Sequence, residues 1–204
     1  MEGNNLTMRT VILSAMFLLS AGNVSALSVW DEGLNGDLST DPLTPTTISF
    51  SAGDNEIIGS VQSPGDTRDY FTFTLLAGQQ LVGIHLLNYT DLNTSAPGNR
   101  GFHAIIAGAT SFVPSGATAD NFLGGNHLDA TNDDLLSNLA ISPLAGDGFS
   151  TPLGAGIYTY LVQQTGPQLT GYEINFQVVP LPAIWPLFAA AFAVIGFSQR
   201  RRSV

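Results

Sequence analysis

Asp129, Asn132, Asp133 and Asp134 place four oxygen donors within six residues, and oxygen donors are the hard ligands that Ca²⁺ prefers. An EF-hand loop starting at Asp129 would need glycine at position 134 and an acid at position 140, where Asp134 and Ala140 stand. The segment therefore reads either as a calcium loop of another kind or as a solvated acidic loop whose Asn and Asp form turns. The three histidines, His85, His103 and His127, are far apart and show no H-x-H or H-E-x-x-H spacing. His85 falls inside a strand pattern, whereas His127 lies close to Asp129. No G-x-S-x-G elbow is present for nucleophilic hydrolysis. Carboxylate pairs of the glycosidase kind meet in space and not in sequence, and a body rich in acids will form some by chance. The reading is a non-catalytic protein with no catalytic residues and calcium as its candidate cofactor.

These residues sit in a chain of 204 residues with 16 acids, six arginines, no lysine and no cysteine, for a formal charge of −10. Without cysteine there is no disulfide framework, thiolate metal site or thiol nucleophile. Such acidity excludes nucleic acid as an electrostatic partner. Charge is unevenly distributed. Between Leu27 and Val179, 15 acids face only Arg68 and Arg100, leaving −13, while Arg9, Arg200, Arg201 and Arg202 lie in the terminal segments.

Both ends read as addressing segments. Arg9 precedes nine apolar residues, Val11 to Leu19, and Val24-Ser25-Ala26 supplies small residues for cleavage after Ala26. That is the layout of a secretory signal peptide over 1–26, with Met1 or Met8 as the start. At the other end, fifteen uncharged residues from Ala183 to Phe197 precede Arg200, Arg201 and Arg202. Counted from Val178 through Ser198, the stretch approaches the ~20 residues of a transmembrane helix. The arginines then hold its end in the cytoplasm, with Trp185 at the other interface. Just ahead stands Val179-Pro180-Leu181-Pro182-Ala183, where two alternating prolines keep the chain extended and accessible.

This order of proline motif, apolar helix and terminal arginine cluster resembles the PEP-CTERM class of sorting tails, in its VPLPA variant. Leu181 stands where the parent class has Glu. The resemblance covers residues 179–202. It implies recognition and cleavage near the motif by an exosortase-type membrane enzyme. The protein would be anchored in the inner membrane and then reach the surface or extracellular matrix of a Gram-negative bacterium.

The body, residues 27–178, shows short alternating runs between turn signals. Expected strands cover Thr47 to Phe50, Glu56 to Val61, Asp69 to Leu75, Leu81 to Leu87, Phe102 to Ala107, Ile157 to Val162 and Tyr172 to Val178. Phe71, Phe73 and Leu75 share one face, as do Val82, Ile84 and Leu86, and Tyr172, Ile174, Phe176 and Val178. Residues 108–156 are poor in strand signals, with one weak strand expected around Leu139 to Ser142. Seven or eight short strands in about 150 residues predict an all-β fold, an antiparallel β-sandwich.

Gly65-Asp66-Thr67-Arg68-Asp69-Tyr70-Phe71-Thr72-Phe73 leading into Ala77-Gly78-Gln79 resembles the opening of a bacterial pre-peptidase C-terminal domain. Asn132-Asp133-Asp134, Ala155-Gly156-Ile157-Tyr158-Thr159-Tyr160 and Tyr172-Glu173-Ile174-Asn175-Phe176 take the places of that family's later motifs. The chain departs from the pattern at Arg68, where an acid is commoner, and in a longer 108–130 insertion. The resemblance implies a jelly-roll-like sandwich that is usually an accessory to secreted enzymes. The expectation is an exported surface or matrix protein binding extracellular polysaccharide or protein through its loops. A secreted glycan- or peptide-directed hydrolase with a loop-built site is the alternative, and an anchored membrane protein with an unprocessed tail is a third.

Overall fold

The computed structural model describes residues 27–91, 101–110, 122–128, 134–141, 143–164 and 169–181. The elements run β1 (Leu27–Asp31), α1 (Glu32–Asn35), β2 (Thr46–Thr47), β3 (Gly53–Gln62), β4 (Arg68–Leu75), β5 (Gln79–Asp91), β6 (Gly101–Ala107), β7 (Phe122–Leu128), α2 (Leu135–Ile141), β8 (Gly156–Gln164) and β9 (Leu169–Pro180). Two sheets form, ordered β1-β3-β9-β5 and β2-β4-β8-β6-β7. The fold is mostly β, in two sheets, as the alternation predicts. The central pairings are antiparallel, but β1 joins β3 and β2 joins β4 in parallel.

The apolar faces of the two sheets supply one core. Ile57 and Val61 of β3, Ile84 of β5, and Tyr172, Ile174, Phe176 and Val178 of β9 meet Phe71, Phe73, Ile105, Tyr160 and Val162 of the other sheet. Phe176 bridges the layers, lying edge-on to Tyr160 at 5.0 Å and to Phe71 at 5.6 Å between ring centroids. Such offset and edge-on pairs add to plain area burial. Asn55 is buried on the inner face of β3. It is satisfied by the backbone of Ser51, Gly53 and Phe176, as a buried amide must be.

The flanks are closed by other means. On one side Leu38, Ile48 and Phe50 of the segment between α1 and β3 fill the gap. The strand expected over Thr47 to Phe50 is only Thr46–Thr47, and Ile48 and Phe50 act instead as plugs. On the other side α2 packs between β5 and β7 and sends Leu135, Leu136 and Leu139 into the core. The weak strand expected around Leu139 to Ser142 is therefore wrong: residues 135–141 are helical. Three leucines at i, i+1 and i+4 face the core from one turn of helix, a pattern too short to show periodicity.

β7, which the sequence did not signal, contains Gly124-Gly125. A Cβ at Gly124 would strike the carbonyl of Leu139, and one at Gly125 would strike the Phe102 ring. Both glycines mark close approaches, which deplete a strand of its usual side chains. Along β5, the expected common face of Val82, Ile84 and Leu86 is broken. Leu81 and Ile84 are buried while Val82 is exposed, because the register slips between Leu81 and Gly83. A bulge of this kind reverses the in–out alternation.

Candidate metal centre

At the end of the sandwich where β3 turns into β4, four carboxylates converge. Asp31 caps α1 by accepting from the Gly33 N–H at 2.9 Å. This one-turn helix swings Glu32 back over β3. There Glu32 Oε2 accepts from the Ser60 N–H at 2.7 Å, and Oε1 accepts from Leu38 N–H at 3.2 Å. Asp37 follows the helix. The turn after β3 carries Asp66, whose side chain meets Asp37, and β4 brings in Asp69. One carboxylate oxygen each from Glu32, Asp37 and Asp69 lies within 4.8 Å of the others.

Asp69 is 0% exposed. Its Oδ2 accepts from Tyr172 Oη at 2.6 Å, while its Oδ1 is buried with no hydrogen-bond partner. Asp66 Oδ1 is in the same condition. Gly59 makes the arrangement possible, because it sits opposite Tyr172 and a Cβ there would collide with the Tyr172 ring. The ring therefore crosses β3 and reaches the other sheet.

Among the described residues the one arginine is Arg68, which is exposed on the first residue of β4. Burial, then the charge of Glu32, pushes Asp69 up to about 9, against the lowering effect of the Tyr172 hydrogen bond. Burial and the neighbouring Asp37 and Asp66 push Glu32 up to about 7 despite its two backbone donors. Burial and Asp37 push Asp66 up to about 6. The three carboxyls thus hold protons that ordinary aspartates and glutamates lose.

The donor set is all oxygen, with no histidine or cysteine, which selects a hard cation over zinc or copper. The spacing fits as well. Ligands held at about 2.4 Å from a common Ca²⁺ lie at most about 4.8 Å apart. Backbone carbonyls and water can complete six to eight oxygens, whereas Mg²⁺ demands a stricter octahedron.

The calcium loop read from sequence is not this site. Its Asp134 is exposed and caps α2, its Oδ1 accepting from the Ser137 N–H at 3.1 Å, while its backbone pairs with His85. Asp129, Asn132 and Asp133 lie outside the described residues. His103 is sealed in the core with Nδ1 2.7 Å from Tyr160 Oη. Burial, with His127 nearby, holds its imidazole down at about 3. His85 is half-buried on β5 and His127 half-buried on β7.

Val179 and Pro180 of the sorting motif are the last residues of β9, paired with Gln80 and Gln79, and Leu181 N–H donates to Gly78 O at 2.6 Å. The sheet thus continues past the boundary drawn after residue 178. Pro182, Ala183, Ala26, Arg200, Arg201 and Arg202 lie outside the described residues. Among the described residues no helix is long and apolar enough to cross a membrane.

Sequence reasoning passed over Asp66 and Asp69 as turn and strand residues. The available signal was an aspartate opening an otherwise apolar strand, at a position alternation sends inward. Comparison with protein-family models and with curated proteins finds no match to this chain.

Proposed function

We propose that this chain is an exported, non-catalytic surface or matrix protein whose sandwich binds calcium at Glu32, Asp37 and Asp69, with Asp66 beside them. The observation that carries the calcium reading is Asp69 Oδ1, a fully buried carboxylate oxygen without a partner beside two further carboxylates. Such an oxygen costs several kcal/mol unless it is protonated or bound to a cation. A cation here joins the segment that follows β1 to the β3–β4 turn, the role a disulfide serves in other exported domains. It works as a staple in a chain that has no cysteine.

Export and sorting rest on the ends of the sequence: the signal pattern before Leu27 and the V-P-L-P-A, apolar, arginine order after Val178. The jelly-roll-like arrangement, the inner-membrane anchor and processing by an exosortase-type enzyme belong to the same reading. The binding of extracellular polysaccharide or protein through the loops belongs to it too.

Calorimetric titration of the detergent-solubilised full chain with CaCl₂ tests the calcium site. Heat of binding and a rise in melting temperature are expected, both lost in Asp69→Asn. No heat and no thermal shift at millimolar Ca²⁺ would sink it. Mass spectrometry of the mature C-terminus tests sorting, because retention of Arg200 to Arg202 on the surface-exposed protein contradicts it.

A further inference from the structure

The strand that leads to the apolar tail, β9, ends at Pro180, only two residues before the apolar run. Leu181 N–H is bonded to Gly78 O at 2.6 Å, and the apolar run starts at Ala183. Only Pro182 intervenes. Two residues of extended chain span at most about 7 Å. The headgroup layer on one side of a bilayer is roughly 5–8 Å thick, from the difference between the hydrocarbon and total thicknesses. A tail that enters the bilayer at Ala183 therefore leaves the sandwich no room to stand away from it.

The tail is also shorter than its sequence suggests. Val178 to Pro180 belong to β9 and Leu181 is bonded to Gly78, so the uncharged stretch left to cross is residues 182–199, 18 in number. That is near the lower limit for a spanning helix. A short span draws its flanking groups toward the hydrocarbon.

The end of the sandwich that would meet the surface has a matching composition. Residues 51–54, 74–80, 107–110, 153–158 and 178–181 begin and end strands there, and Asp54 is the one charged residue among them. Asp54 is itself occupied by Asn175, at 3.0 Å. Exposed apolar side chains ring the point of exit: Leu76 on the β4–β5 turn is 62% exposed, Ile157 48% and Leu181 46%. The turn is braced by Gln79, whose Oε1 accepts from the Leu76 N–H at 2.8 Å. The opposite end carries Glu32, Asp37, Asp66 and Asp69. An anionic leaflet repels acidic surface over about a Debye length, so of the two ends the one with a single carboxylate among its described residues suits a lipid surface better than the one with four.

We infer that the tail-side end of the sandwich is a docking surface for the lipid bilayer, with Leu76, Ile157 and Leu181 in the headgroup layer and the acidic centre facing away. This rests on the anchored-tail reading. In that state the V-P-L-P-A motif straddles the sheet and the membrane surface. A membrane enzyme reaches it either at Pro182 and beyond or by peeling Val179 to Leu181 from β5.

The cysteine-free chain permits a clean test. Single cysteines are introduced as Leu76→Cys, as Ser63→Cys in the turn at the opposite end, and as Ala190→Cys in the tail. Each carries an environment-sensitive fluorophore in the full chain, reconstituted into phosphatidylethanolamine–phosphatidylglycerol vesicles containing nitroxide-labelled lipids. Quenching at positions 76 and 190 but not at 63 is expected. Leu76→Glu should at least halve quenching of a probe at position 157, introduced as Ile157→Cys. Quenching at 190 without quenching at 76 overturns the docking while the anchor stands; this includes the case where a second copy or the sorting enzyme covers the turn instead. Absence of quenching at 190 overturns the anchored tail and the docking together.

Discussion

Tyr172 of β9 reaches across β3 to donate its hydroxyl to Asp69 of β4 at 2.6 Å, joining the two sheets through a buried hydrogen bond. It passes over Gly59, the residue opposite it in the ladder. Asp69 and the nearby charges in turn raise the Tyr172 phenol well above its ordinary value, after burial itself, so it acts only as a donor. Tyr172→Phe removes that donor and leaves Asp69 with neither oxygen bonded. A loss of about 1–3 kcal/mol is expected, the usual cost of orphaning a buried polar group. Urea denaturation in EDTA measures it, and an unchanged midpoint would contradict the role.

Asp69→Asn separates the cost of the acid from its use. Without metal, the amide removes a buried acid beside Glu32 and keeps a group that can accept from Tyr172. The variant should melt at or above the parent in EDTA at pH 8. In saturating Ca²⁺ the parent should overtake it, because the variant has lost a charged ligand. Differential scanning fluorimetry with and without Ca²⁺ shows the crossing, and parallel shifts in both proteins would place the cation elsewhere.

The pH dependence has a definite sign. Asp69, Glu32 and Asp66 have folded values raised to about 9, 7 and 6 from ordinary values near 4. In the folded state they bind protons more tightly than in the unfolded chain. Their contribution to stability is complete below about pH 4 and is lost as pH rises through the folded values. In EDTA the melting temperature should fall between pH 5 and pH 9, the window set by those values. Ca²⁺ should flatten the slope by replacing the protons. A slope in EDTA that is flat or rises with pH would refute this account of the cluster.

Gly124→Ala tests how α2 is seated. The added methyl meets the Leu139 carbonyl, a backbone atom that cannot rotate away. A loss of about 1–3 kcal/mol is expected, as for overpacking. An alanine variant as stable as the parent would show that α2 does not rest on β7.

The strands of the central ladder were legible because their alternation carries its own evidence. In β9 the inward Tyr172, Ile174, Phe176 and Val178 alternate with Glu173, Asn175 and Gln177, and this pattern holds whatever the strand pairs with. β7 and α2 were not legible. Gly124, Gly125 and a seven-residue helix derive their state from what lies against them, and local sequence does not encode a neighbour. The bulge at Leu81–Gly83 escaped for the same reason, since alternation assumes an unbroken register.

The sequence by itself determined the two-sheet class, the acidic body between cationic ends and the absence of covalent staples, because each follows from composition or short-range periodicity. Only the tertiary structure decided where the acids meet. Glu32, Asp37, Asp66 and Asp69 span 38 positions in the chain, and they converge because β1 and α1 dock on β3 while β4 leaves the turn beneath them. The same holds for the tail. Val179 to Leu181 reads as a free proline segment until the β5 partner strand is seen to pair with it, and Gly78 to receive its last hydrogen bond. Backbone hydrogen bonding between distant segments is a property of the sheet and not of the motif.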